Sequence, residues 1–508
     1  MAVVMLTCIF GLFQPAVMEI EIKLALPARS ASRCKRHPAL ARIEPNTSRL
    51  YSVYYDTPAF ELLAAGVALR LRRVGRHWVQ TLKARAGSGG VLTQRPEWEV
   101  KVVGRRPDLA LFPAEARQLI PAGAEAHLAP AFETEFRRTT WAVKEGGSRI
   151  EVALDRGEIR AAGRAWPISE LELELESGEL GDLFALADRL LADLPMQLEP
   201  RSKAQRGYQL AGALSLAPVK ATIPTLEADA AAAQAYAAIA RACMTQFEAN
   251  LPGFLAAQEP DPEYVHQMRV AMRRLRAVTG LMRFMQWDQP AWVGELKWLM
   301  GELSLARDWD VFVTETLPRV RDRLEAPAAL DALAGTAQDL RRQANDRART
   351  ALASPRLVHL WLAIERDLAT TPDASISTRE WAQAALDRRY RQIRRLGSRL
   401  DELDPAERHA LRIAGKKLRY AAEFFACLKP KAARRFIATL ADLQDVLGIL
   451  NDVAVTGQLL EQAKQAGGPA VFEGAGLVAG YLAREQDLRL ADLARCWRAF
   501  RQARPYWR

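Results

Sequence analysis

The chain has 508 residues, 26% of them charged and 49% hydrophobic. That is globular composition, which excludes a disordered or fibrous chain, and at roughly 100–200 residues per domain it implies about two to four domains. Lys and Arg number 71 against 60 Asp and Glu, a net charge of +11, so an anionic partner is expected, though charge alone does not choose among nucleic acid, a membrane surface and phosphate compounds.

Met1 to Val17 are apolar and uncharged. A secretory signal would need a positive leading region, and a membrane span is marginal at this length and interrupted by Gln14-Pro15. A clean alternating strand starts directly after Met18, as Glu19-Ile20-Glu21-Ile22-Lys23-Leu24, so Met18 is read as the functional start. No later stretch has the length and purity of a spanning helix. Five cysteines (Cys8, Cys34, Cys243, Cys427 and Cys496) are scattered and lack CxxC spacing, which argues against a disulfide framework or a zinc site and for a reducing compartment.

From Met18 to about Leu210 the dominant period is two. Strands are expected over Ala68–Arg73, His77–Lys83, Trp98–Val103, Phe136–Val143, Arg149–Leu154 and Leu171–Glu176, separated by breaks such as Gly87–Gly90 and Gly146-Gly147. A helix is expected after the first strand and another over Leu180–Leu194. The charges alternate with these strands. Glu19, Glu21 and Lys23 share one face, as do Arg70 and Arg72, Thr81 and Lys83, Glu97, Glu99 and Lys101, and Glu170, Glu172, Glu174 and Glu176. On any single half-buried strand such a face is ordinarily solvated. Several strands carrying both signs instead suggest a sheet closed into a barrel with these faces inward, an arrangement that is costly unless it binds something. Carboxylates suit Mg²⁺ or Mn²⁺ and Lys and Arg suit phosphate oxygens, so the set fits a polyanion carrying a divalent metal.

Ala211–Thr225, with Pro218 and Pro224, reads as a linker. Beyond it the period is helical, with several helices of about 15–25 residues expected between Leu226 and Arg508. This half contains a repeat. His266, Arg269, Arg273, Arg274, Leu275 and Arg276 match His409, Arg412, Lys416, Lys417, Leu418 and Arg419 without a gap, and each copy is followed by an Asp-Val pair, Asp310-Val311 and Asp452-Val453. An internal duplication of a helical unit follows. At 100° per residue, His266, Arg269, Arg273 and Arg276 fall within an arc of about 80°, and His409, Arg412, Lys416 and Arg419 repeat it. Like charges at these spacings repel, and a bound anion relieves the repulsion. Nucleic acid is the competing ligand, but no aromatic platform interleaves the stripes.

Glu19-x-Glu21-x-Lys23 resembles the ExExK signature of CYTH domains, the triphosphate tunnel metalloenzymes. Tyr55-Asp56-Thr57-Pro58, Leu69-Arg70-Leu71-Arg72, Lys83, Arg95-Pro96-Glu97, Arg138 before Trp141, Glu151, Asp155, the Glu170–Glu174 row and Ser202-Lys203-Ala204-Gln205-Arg206-Gly207-Tyr208 extend the likeness over residues 18–210. The helical half, over residues 226–497, resembles the CHAD domain in its two histidine helices, in Leu305-Ala306-Arg307-Asp308-Trp309-Asp310 and in Leu447-Gly448-Ile449-Leu450-Asn451-Asp452. The pairing is similar to bacterial inorganic triphosphatases. The resemblance implies an α+β chain of two domains: an eight-stranded antiparallel β tunnel with helices, then an all-α domain of two duplicated four-helix bundles.

The resemblance also implies metal-dependent hydrolysis of inorganic triphosphate to phosphate and diphosphate. The same tunnel fold also hosts adenylate cyclases and thiamine triphosphatases, and a non-catalytic protein targeted to polyphosphate granules is a further alternative. The implied cofactor is Mg²⁺ or Mn²⁺, held by Glu19, Glu21, Glu172 and Glu174, with Glu19, Glu21, Lys23 and Glu172 catalytic. Lys23, Arg70, Arg72, Lys83, Arg138 and Lys203 would hold phosphate, with Arg137 competing for the role of Arg138. His266, Arg269, Arg273, Arg276, His409, Arg412, Lys416 and Arg419 would bind inorganic polyphosphate. No nucleic acid or membrane partner is expected, and the location implied is cytoplasmic or at polyphosphate granules. There is no GxxxxGK[ST] loop, no GxSxG elbow and no histidine cluster.

Overall fold

The computed structural model describes residues 17–84, 92–324, 327–371 and 375–508, with the backbone alone described at 17–19, 92–95, 327, 401, 405, 451, 490 and 491. Two compact units divide at Ala217/Pro218, inside the expected linker, and the first also takes in Ser354–Arg366.

The first unit is built on β1 (Val17–Ala25), β2 (Asn46–Asp56), β3 (Val67–Val74), β4 (His77–Ala84), β5 (Leu92–Val102), β6 (Ala129–Glu145), β7 (Ser148–Ala161) and β8 (Arg164–Ser177), with a two-residue β9 (Gln197–Leu198). The order is β5-β4-β3-β2-β6-β7-β8-β1-β9, and β1 also pairs with β5. All these pairings are antiparallel. Eight strands therefore close a ring, and β9 is an appendage on β1. In a ring of eight, strands four steps apart face each other across the lumen, so β8 faces β3, β7 faces β4, β6 faces β5 and β1 faces β2.

Most apolar residues of these strands point outward, while Tyr54, Phe132, Phe136, Ile159 and Ile168 cluster on the inward faces with Tyr208. Val53, Tyr55, Leu69, Leu71, Leu82 and Trp98 form one cluster with Leu62, Leu109 and Phe112 from the connections. Helix α1 (Leu180–Asp193) packs on β8, and Leu171 and Leu173 are fully buried. The charged face of each strand is left for the lumen. Glu21, Lys23, Arg70, Asp155 and Glu170 are all buried, so the solvated-face reading of these rows does not hold. Helix α2 (Lys203–Leu210) starts with a Ser202 capping box, which fixes its first turn and the lysine in it.

The strand β2 was not expected, and β6, β7 and β8 run longer than their patterns suggested. Gly157 and Pro167 lie inside β7 and β8, residue types that weaken a strand pattern. The helix expected after β1 is present as four residues, Ala31–Cys34.

The second unit is helical. Helices α3 (Ala232–Ala256), α4 (Pro262–Thr279), α5 (Val293–Val311) and α6 (Pro327–Leu352) pack consecutively around one core. After α7 (Pro355–Ala369), the helices α8 (Thr378–Leu396), α9 (Pro405–Phe424), α10 (Pro430–Ala466) and α11 (Pro469–Gln502) repeat the arrangement. The duplication is thus a pair of four-helix sets, with α4 matching α9, and those two histidine helices pack on each other. Each begins with Asp-Pro, and Asp261 and Asp404 accept hydrogen bonds from first-turn amides, a capping signal that sets both in phase. Helices α10 and α11 exceed the expected length and run through Gly448, Gly457, Gly476 and Gly480, where a Cβ would meet no neighbour. No helix among the described residues is long and apolar enough to cross a membrane.

Candidate functional site

The lumen of the sheet collects carboxylates on one wall. Register places Glu21 opposite Glu174 and Glu174 opposite Glu151, a row across β1, β8 and β7 in which directly opposed like charges destabilise unless a cation sits between them. Burial, with Glu176, Asp155 and Glu172 nearby, raises the Glu151 carboxyl above its ordinary value despite the Arg138 charge. The donor set is all hard oxygen, which fits Mg²⁺ or Mn²⁺. Glu19 lies on the same strand with its backbone opposite Arg95, and its side chain is outside the described residues.

One step along the strands, Asp155, Glu170 and Glu172 bring their oxygens within 4.8 Å of one another. An ammonium already serves them: Lys203 Nζ lies 2.7 Å from Asp155 and 2.8 Å from Glu172 and also contacts Glu170. Arg138 donates to Asp155 at 2.8 and 2.6 Å and reaches Glu172, and Arg206 pairs with Glu170. Burial would push the Glu172 carboxyl up, but Lys203 and Arg138 outweigh it and hold it well below the usual range. Of the two candidate metal positions, the Asp155–Glu170–Glu172 group is thus the one bridged by a lysine. Arg138 faces inward while Arg137 is exposed, which separates the pair that sequence left ambiguous. Lys23 is opposite Glu172 in register and donates to the Arg201 carbonyl at 2.6 Å, and burial lowers its ammonium pKa.

The facing wall is cationic. Arg70 reaches Glu97 at 3.3 Å and Glu99 at 3.4 Å, and Lys83 pairs with Glu97. The Arg70 Nε is buried without a hydrogen-bond partner. Arg72 donates to Ser52 Oγ at 3.4 Å, and burial together with Arg70 pushes it down to about 10. Tyr54 is buried beside them. Burial would raise its phenol, but Arg70, Arg72 and Lys83 together draw it below its ordinary value. Glu151, Asp155, Glu170, Arg206, Glu97, Glu99 and Tyr54 were given no role from sequence. Glu97, Glu99 and Glu170 share the alternation of the assigned site residues, and Glu151 and Asp155 lie four apart on one strand.

In the helical unit, Arg269, Arg273, Arg412 and Lys416 gather where α4 meets α9. Burial and the neighbouring Arg412 and Arg273 push Lys416 down to about 7. Burial, aided by Arg307, Arg273 and Arg269, lowers His266. Arg269 donates to the Ser304 carbonyl at 2.7 Å and to Asp308 at 3.2 Å. Asp452 acts on Arg412 and Lys416, whereas Asp310, its match by repeat spacing, is buried against Arg341 at 2.6 Å. In the first copy, Asp308 takes the place by the arginine. His409 is exposed. Two outer members of the stripes lie apart: Arg419 pairs with Glu423 at 2.8 Å, and Arg276 is exposed and acts on Lys417.

The CYTH domain model matches residues 18–208 and the CHAD domain model residues 238–461. An inorganic triphosphatase of Haemophilus influenzae is 34% identical over 197 residues, 38% of this chain and 55% of that protein; the chain thus spans about half the length of that curated relative. An uncharacterized protein of Mycobacterium tuberculosis is 26% identical over 420 residues, 76% of this chain and 77% of its own length. The crystal structure of the CHAD domain from the plant Ricinus communis is 33% identical, with a TM-score of 0.52, and covers 57% of this chain and 98% of its own. The chain carries a CYTH domain at residues 18–208 followed by a CHAD domain at residues 238–461.

Proposed function

We propose that the tunnel hydrolyses inorganic triphosphate to phosphate and diphosphate with Mg²⁺ or Mn²⁺, and that the helical domain binds inorganic polyphosphate. The observation that carries the first part is the opposition of walls: β8, with Glu172 and Glu174, faces β3, with Arg70 and Arg72, across a closed ring. The similarity to the Haemophilus influenzae inorganic triphosphatase supports it.

In this reading Glu21, Glu174 and Glu19 hold the divalent ion. When bound, such an ion neutralises phosphate oxygens and lowers the pKa of water. Arg70, Arg72 and Lys83 hold the phosphate chain, with Arg138 and Lys203 balancing the carboxylates beside it. Water attacks the terminal phosphorus in line, the bond to the bridging oxygen breaks, and diphosphate leaves. Glu151 takes the water proton, because its raised pKa makes it a better-matched base than Glu172, which two cations hold ionised. The test is phosphate release from tripolyphosphate, ATP, thiamine triphosphate and long polyphosphate with each metal. Preference for tripolyphosphate is expected. Preference for ATP or thiamine triphosphate selects another enzyme of the fold, and no release with any of them selects a non-catalytic binding protein.

For the second part, the support is the cluster of Arg269, Arg273, Arg412 and Lys416. Arg273→Ala with Lys416→Ala is expected to weaken retention of polyphosphate about tenfold or more, while triphosphate cleavage is unchanged. Undiminished retention contradicts the assignment.

A further inference from the structure

A second group of cations lies in the helical unit outside that cluster: Arg276 at the end of α4, Arg283 in the turn after it, Arg388 and Arg389 on α8, and Lys417 on α9. The charges acting on Lys417 are Arg389, Arg276 and Arg283, and those on Arg389 are Arg283 and Arg388; all are positive. Among the described residues no ion pair involves any of the five. Arg389 is only 6% exposed, and its Nε has no hydrogen-bond partner. A Cβ at Gly280 would lie 3.7 Å from its Nη2, so the guanidinium is set against the end of α4. The nearest carboxylate in sequence, Asp387, faces elsewhere and accepts from Trp507 Nε1 and Arg508 Nε at 2.9 Å each.

The duplication sharpens the point. Carrying the gapless register of the two histidine helices to their ends pairs Arg274 with Lys417, Arg276 with Arg419, and Gly280 with Glu423. Glu423 neutralises both Arg274, at 2.7 Å, and Arg419, at 2.8 Å. In the other copy the matching position is Gly280, which has no charge to offer Lys417 and Arg276. One half of the pseudo-symmetric pair is closed by its own carboxylate, and the other half lacks that anion.

We propose that Arg276, Arg283, Arg388, Arg389 and Lys417 form a binding site for a compact phosphoanion, such as inorganic diphosphate, distinct from the Arg269–Arg273–Arg412–Lys416 cluster. The anion takes the place that Glu423 fills in the other copy. A buried guanidinium offers a phosphate two parallel donors, and a buried, unpartnered polar atom is costly until it is met.

The experiment is acetylation of Lys417 in the full-length protein, read by mass spectrometry with increasing inorganic diphosphate in the absence of metal. Lys417 is exposed, so it labels readily in the free protein. Saturable protection of about tenfold is expected, retained in an Arg273→Ala, Lys416→Ala background. It is expected to be lost in Arg283→Gln with Arg388→Gln, both exposed positions whose change leaves the fold intact by thermal melting. No protection of Lys417, protection that survives the double substitution, or equal protection by sulfate would overturn the site as proposed.

Discussion

Two side chains carry the clearest proton linkage. Glu151 has a raised pKa in the folded protein because burial and neighbouring carboxylates disfavour its charge. A carboxyl raised on folding binds more protons in the folded state, so its ionisation subtracts stability as pH rises through and above the carboxylate range. Glu151→Gln removes that cost: in metal-free buffer the variant is expected to melt no lower than the parent at pH 8, with the advantage gone near pH 4, while triphosphate turnover falls. A lower melting temperature at pH 8 would contradict the electrostatic account. Lys416 has the opposite problem. Its pKa of about 7 leaves it mostly neutral at pH 8, and an anion beside it raises that value. Polyphosphate binding is therefore expected to take up a proton near pH 8 and to strengthen as pH falls toward 6. Calorimetry in buffers of different ionisation enthalpy measures this, and Lys416→Arg, which stays charged, is expected to abolish the uptake. Both groups were visible in the sequence as residue types. Their environments were not, since a shifted pKa depends on which strands and helices are brought together.

Among the elements, the alternating charged strands were legible because their two faces differ in chemistry. Strand β2 was not, because both of its faces are apolar in part. Val53 and Tyr55 join the outer cluster, while Tyr54 joins Phe132 and Phe136 in another, which erases the period of two. Strand β7 is expected only as far as Leu154 but runs through Gly157 to Ala161. A Cβ at Gly157 would lie 2.1 Å from the Glu135 carbonyl and 2.4 Å from the Phe136 Cα, so the glycine permits close approach of β6 and β7 and does not end the strand. Gly157→Ala is expected to destabilise the tunnel by about 1–3 kcal/mol, as overpacking does, visible as a lower melting temperature. An unchanged melt would show that β6 and β7 have slack there. In the helical unit, repeat spacing equated Asp310 with Asp452, but the short Asp308-Trp309-Asp310 run lets Asp308 face Arg269 and sends Asp310 to Arg341. A helix position separated by two residues points to another face, and the repeat alone does not say which aspartate the partner helix selects.

At the scale of the whole molecule, the excess of positive charge has a place in each unit: inside a closed ring of strands, and along paired helices. The central claim is that carboxylates on one wall of the ring, across from Arg70 and Arg72, hold a divalent ion for triphosphate cleavage. Its most direct test is phosphate release from tripolyphosphate with Mg²⁺ or Mn²⁺ by the full-length protein beside Glu21→Gln and Glu174→Gln. Metal-dependent release that falls at least about 100-fold in each variant, with the fold intact by melting, is the expected result. Equal turnover by the parent and the variants, or release that persists in full after chelation of the metal, would contradict it.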